Sequence, residues 1–294
     1  MSEILQHLLD ALSLGSLYAI LGLGIALIFG IMRLVNFAHG ELVMVGAYAA
    51  VVLGGAPWPV AVLVVVVVPV AIAVLMERIA FRPVRGAHET TLLVTSFALS
   101  FLLQNLALLI FGATPRTIDL SAFLSQSVEA ASLTIPRLSL ATIAVTVVLL
   151  VALTAFLRRT SLGVHMRAAA EDFTTARTLG VRANRVIATS FAISGALAGA
   201  AAYLIVAQTG SVYPAMGLNA VLIAFVATVL GGLGSLTGAV VGGMGLALVT
   251  VALDAYLPPA LRGYRDAFAY AAVIAVLVWR PQGLIVPRTA RGRV

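Results

Sequence analysis

The chain has 294 residues, of which 62% are hydrophobic and only 10% charged, against about 25% charged in an average soluble domain. So few charges cannot coat a water-soluble fold of this size, and the apolar residues suffice for roughly nine bilayer spans at about 20 residues each. A soluble enzyme is excluded. All 18 basic residues are arginine and there is no cysteine, which removes disulfides and thiolate chemistry and also the Walker A loop, whose lysine must reach the β- and γ-phosphates.

Apolar runs follow one another at Ala11–Ile31, Leu42–Ala56, Trp58–Met76, Thr90–Phe111, Leu138–Leu157, Val186–Ala207, Asn219–Leu230, Leu236–Leu253 and Ala267–Trp279. This predicts an all-α integral membrane protein, a polytopic bundle of about eight to nine spans in one transmembrane domain over 1–294. Several runs fall short of about 20 residues, as Gly-broken helices do. The first ten residues carry no basic stretch, so the first run is expected to remain as an anchor. Cytoplasmic loops accumulate arginine. With the N-terminus outside and the C-terminus inside, fourteen arginines fall on inner segments, among them Arg288, Arg291 and Arg293, and four (Arg116, Arg137, Arg262, Arg265) on outer ones. Residues 112–137 are then an external loop and residues 158–185 a cytoplasmic one.

Three constellations stand out. "RLVNFAHGE" (Arg33 to Glu41) puts Arg, Asn, His and Glu between two apolar runs, a costly arrangement at membrane depth unless the groups are paired or hydrated. It reads either as a short cytoplasmic turn or as a broken helix lining a cavity, with Asn36, His39 and Glu41 as path candidates and Arg33 or His39 as partners for Glu41. "GGLGSLTGAVVGG" repeats glycine at Gly234, Gly238 and Gly242, a spacing for close helix packing, and Gly231–Gly234 reads as a re-entrant break. Each half of the chain thus holds one Gly-interrupted pair of short runs, as transporter repeats do. "AAAEDFTTARTLG" predicts a short cytoplasmic helix ending at Gly180. Ala169, Phe173, Ala176 and Gly180 form one stripe on it, with Leu179 beside them, and this face is expected to dock another protein. Gln104, Asn105, Ser194, Asn219 and Thr228 read as interhelical glue. No metal-ligand spacing, catalytic triad or carboxylate pair is present.

On these residues the chain resembles a known family. "GLGIALIFGIMRLVNFAHGELVMVGAYAA" (Gly22 to Ala50), "RAAAEDFTTARTLGVRANRVIATSFAISGALAGAAAYL" (Arg167 to Leu204) and the Gly231–Gly243 segment are similar to LivH-type permease subunits of branched-chain amino acid ABC transporters. The resemblance extends to "RPQGL" (Arg280–Leu284). It implies a multi-pass protein of the bacterial cytoplasmic membrane that forms a path with a second, LivM-type permease. It also implies an external substrate-binding protein and two cytosolic ATPases, which would hold the ATP and magnesium; this chain would bind no cofactor and no nucleic acid. An ion-gradient-driven transporter, or a permease for urea or short amides, is the competing reading.

Overall fold

The computed structural model describes residues 2–54, 56–118, 127–130 and 133–285; Arg288, Arg291 and Arg293 lie outside them. All nine apolar runs are helices: α1 (Ser2–Met32), α2 (His39–Val52), α3 (Trp58–Met76), α4 (Glu89–Phe111), α5 (Arg137–Arg159), then, after two short helices, α8 (Ala183–Thr209), α9 (Met216–Gly231), α10 (Leu236–Tyr256) and α11 (Arg265–Trp279). The two short helices are α6 (Ser161–Glu171) and α7 (Phe173–Thr178). Among the described residues, six helices are long and apolar enough to cross a membrane, while α2 and α9 are apolar but too short. Among the described residues, strand is confined to two small antiparallel pairs, β1 (Arg116–Thr117) with β4 (Ser211–Val212) and β2 (Ser127–Ala130) with β3 (Leu133–Pro136).

The chain folds as two inverted repeats, α1–α4 and α8–α11, joined by α5–α7. α1 packs most extensively on α10 and α3 on α8, α2 lies against α8 and α9, and α9 lies against α1 and α2. Exchanging the repeats maps α1–α10 onto α8–α3 and α2–α8 onto α9–α1, and leaves α2–α9 in place. Their directions are opposite. The α8 N-terminus meets the α3–α4 connection through Arg85 Nη1 donating to Asn184 Oδ1 at 2.6 Å, and its C-terminus meets the segment after α4 through the β1–β4 pair. The first of these ends also gathers Arg33, Arg177, Arg182 and Arg185 around one cavity of about 1200 Å³; we call it the basic end.

Small residues make this packing possible. In a bilayer, lipid tails are as apolar as leucine, so helix contacts rest on close backbone approach. A Cβ on Gly199 of α8 would lie 2.5 Å from the Val65 carbonyl of α3, and one on Gly243 of α10 would lie 2.7 Å from the Ala19 nitrogen of α1. Many large apolar side chains point the other way: Leu93, Phe101 and Leu109 of α4, with Val147, Val148 and Val151 of α5, are exposed.

The Gly231–Gly243 segment divides into two parts. Gly231, Gly238 and Gly242 pack backbone to backbone between α9 and α10. Gly234 is not on that helix face: it sits in the α9–α10 turn at φ +83°, against Gly30 and Phe29 of α1. The expected re-entrant break at 231–234 is therefore a plain tight turn. The true counterpart of the break after α1 lies earlier, at residues 210–215.

Candidate functional site

Arg33 ends α1 in the left-handed region at φ +51°, a conformation costing a residue with a Cβ about 1–2 kcal/mol. This reversal sends residues 34–38 back along α1, so that α2 begins not at the basic end but well inside the bundle. His39 is pressed against Gly24 of α1, where any Cβ would collide with its ring. Two hydrogen bonds fix its depth. Glu41 Oε1 accepts from Ser100 Oγ at 2.9 Å, and Ser100 is the central residue of α4. His39 Nδ1 shares a hydrogen bond with Ser194 Oγ at 2.9 Å, close to the middle of α8.

An Asn-based turn starts α2. Asn36 Oδ1 accepts from the Ala38 N–H at 3.1 Å and its carbonyl from the His39 N–H at 3.1 Å, the local side-chain bonding that favours Asn before a helix. The second repeat builds the same turn from different residues. Tyr213 O accepts from the Met216 N–H at 3.1 Å, and the two helix caps, Ala38 (φ −73°, ψ −2°) and Ala215 (φ −80°, ψ −2°), have the same conformation. The two half-helices meet N-terminus to N-terminus. Gly40 lies against the Gly217 carbonyl, and a Cβ on Gly217 would stand 2.9 Å from the Gly40 carbonyl.

Asn36, His39 and Glu41 are thus brought together, and all three are enclosed, at 0%, 0% and 1% exposure. Asn36 Nδ2, His39 Nε2 and Glu41 Oε2 are buried with no hydrogen-bond partner among the described residues. Such groups cost about 1–3 kcal/mol each when left unpaired, so the junction holds unspent polar capacity at the centre of the protein. Arg33 is not a partner of Glu41: it is exposed at the basic end and lines the cavity there. Beside the junction, Phe37 stacks on Phe97 of α4 at 4.2 Å between ring centroids and tilts against Phe225 of α9 at 5.7 Å.

The segment 161–180 is two helices rather than one. Asp172 breaks the run because its carboxylate caps α7, accepting from the N–H groups of Thr174 (2.9 Å) and Thr175 (3.0 Å) and the Thr175 hydroxyl (2.6 Å). These bonds, led by that of Thr175, hold the Asp172 carboxyl below the usual aspartate range. Gly180, at φ +89°, closes α7 with two backbone bonds, Gly180 N–H to Arg177 O at 3.1 Å and Val181 N–H to Ala176 O at 3.0 Å, the Schellman pattern. The Ala169–Phe173–Ala176–Gly180 stripe does not form one outward face. Ala169 and Ala176 are buried in the chain's own core with Phe173 packed against it, whereas Leu179 is 80% exposed. Next to this segment Arg85 pairs with the buried Glu77, at the end of α3, as well as with Asn184.

Ser100, Gly24, Gly217 and the Glu77–Arg85–Asn184 chain were not singled out by sequence patterns. One signal pointed to Gly217: "FAHG" (Phe37–Gly40) and "PAMG" (Pro214–Gly217) share Ala and Gly in the same places, each opening a short helix after a long one.

The bundle, with its inverted repeats and polar mid-depth junction, has the architecture of a transport protein. Its sequence matches the family model "branched-chain amino acid transport system / permease component" over residues 7–277. It is 33% identical to the high-affinity branched-chain amino acid transport system permease protein BraD of Pseudomonas aeruginosa, over 96% of this chain and 95% of that one. It is 34% identical to the permease protein LivH of Escherichia coli K12, over 96% and 95%. A shorter match, 33% identical over 44% of this chain and 29% of the other, is to LivM of Salmonella typhimurium. The chain belongs to the branched-chain amino acid transport permease family.

Proposed function

We propose that this chain is the membrane-spanning permease subunit of an ATP-driven importer of branched-chain or closely related small amino acids, set in the bacterial cytoplasmic membrane. Family membership over nearly the whole chain supports the substrate class. The observation that carries the structural part is the polar junction of Asn36, His39 and Glu41, buried at mid-depth where two inverted half-helices meet. A charged or polar group in such a place is retained for a pathway rather than for stability. These three residues stand at the translocation path, enclosed in the conformation seen here.

The chain has no lysine and so no Walker A loop of its own. ATP and magnesium belong to two cytosolic ATPase subunits, and a second, LivM-type permease and an external binding protein complete the complex. The exposed Leu179 and its α7 turn offer the ATPase its contact, with Gly180 fixing the turn. Movement there has a physical route inward. Ala169 and Ala176 are packed into the core, and Asn184, Arg85 and Glu77 link the start of α8 to the end of α3.

The test is reconstitution. The chain, co-expressed with its candidate partners and purified in mild detergent, should retain a P-loop ATPase in fixed stoichiometry. In proteoliposomes it should take up leucine only with ATP and binding protein present. Uptake without ATP that collapses with an uncoupler would instead establish an ion-driven transporter. Uptake of urea or acetamide in place of leucine would move the substrate class. Leu179→Glu should weaken ATPase retention while the permease still inserts; unchanged retention would remove α7 from the contact.

A further inference from the structure

Glu41 occupies an unusual electrostatic position. It is the third residue of α2, so its carboxylate lies at the positive end of its own helix. The same carboxylate reaches the first turn of α9. A Cβ on Gly217, the second residue of that helix, would lie 2.5 Å from Glu41 Oε2 and 2.8 Å from Cδ. Each helix N-terminus carries a partial positive charge that favours a nearby carboxylate, so two of them face this one, although its Oε2 takes no hydrogen bond from the described residues. The other oxygen is held by Ser100 at the centre of α4. One side chain therefore joins α2, α4 and α9, and it belongs to both repeats at once. Its reach into α9 depends on there being no side chain at 217. The counterpart position in the first repeat is Gly40, which in turn touches the Gly217 carbonyl.

We propose that Gly217 is a positioning residue for transport: it keeps open the place at the α9 N-terminus that the Glu41 carboxylate fills, and the Glu41 bridge from α9 to Ser100 ties the two repeats together at mid-depth. This rests on the transport reading above. If that reading fails, the unaltered complex shows no ATP-dependent uptake; if only this inference fails, the unaltered complex transports and the variants below depart from expectation.

The experiment compares four reconstituted complexes: unaltered, Gly217→Ala, Glu41→Asp, and the double variant, with leucine uptake and the amount of assembled complex measured in each. Gly217→Ala drives a methyl group into the Glu41 carboxylate, so uptake should fall at least about tenfold. Aspartate is one methylene shorter and withdraws the carboxylate from that methyl. The double variant should therefore take up leucine several-fold faster than Gly217→Ala alone, although Glu41→Asp by itself slows transport. Should Gly217→Ala fail to assemble, the same rescue is read as recovery of assembled complex in the double variant. Normal uptake by Gly217→Ala would overturn the proposal. So would a double variant no better than Gly217→Ala, which would mean that contact with the Gly40 carbonyl, 2.9 Å from the same methyl, is what the methyl offends.

Discussion

Asp172 shows how one side chain can overrule a helix-forming stretch. Ala168–Glu171 favours helix and the run could continue into Phe173–Thr178, yet a carboxylate able to accept from three donors of the following turn favours a break between them. Because its carboxyl is held below the ordinary aspartate value, the cap strengthens α7 fully at neutral pH, and the benefit disappears as pH falls through the depressed value. Hydrogen exchange should therefore show residues 173–178 losing protection before α8 does as pH falls below the usual aspartate value of 3.8. Asp172→Asn, which keeps an acceptor but has no charge to titrate, should remove that pH dependence; a pH-dependent loss persisting in the variant would locate its cause elsewhere. Glu41 is the harder case at this scale. The sequence marks it as expensive and offers Arg33 and His39 as nearby partners. The partner found is Ser100, 59 residues away. Short-range reading could not reach it, because a serine in an apolar helix resembles any other interhelical hydroxyl.

At the scale of elements, hydropathy alone locates all nine apolar helices, since lipid imposes both their length and their composition. It does not show that α2 and α9 are half-helices starting at mid-depth. That depends on a left-handed turn at Arg33, a residue with no intrinsic preference for it, and on collisions that glycines avoid at 24, 40 and 217. The symmetric seams, α8 on α3 and α10 on α1, follow from glycines whose role appears only once a neighbour is seen. Gly199→Val and Gly243→Val should each destabilise the detergent-solubilised protein by about 1–3 kcal/mol, as overpacking does. The two sites sit on different helix pairs, so their effects on thermal inactivation should add to within about 0.5 kcal/mol. A marked departure from additivity would show that the repeats respond as one unit rather than as two packed halves.

For the whole molecule, the inverted repeat ties together the orientation, the shape of the site and the coupling route. Two repeats running in opposite directions put the N-termini of α2 and α9 face to face, which no single repeat can do, and they leave the two ends of the bundle chemically unlike. Arg33, Arg85, Arg177, Arg182 and Arg185 surround the cavity at one end, whereas the other holds the β1–β4 pair and Arg116, which lies over the Phe111 ring at 5.4 Å. Because cytoplasmic loops accumulate arginine, the expected orientation puts the basic end, α6, α7 and the α3–α4 connection inside. Single cysteines in this cysteine-free chain give a clean readout. Thr117→Cys, in exposed β1, should react with a membrane-impermeant maleimide in intact cells. Thr174→Cys on α7 and His88→Cys at the start of α4, both exposed at the basic end, should react only after permeabilisation. The opposite pattern would invert the protein in the membrane while leaving its fold intact. Labelling of Thr117→Cys and His88→Cys from the same side would be incompatible with α4 as a span, and would take with it the mid-depth placement of Ser100 and Glu41.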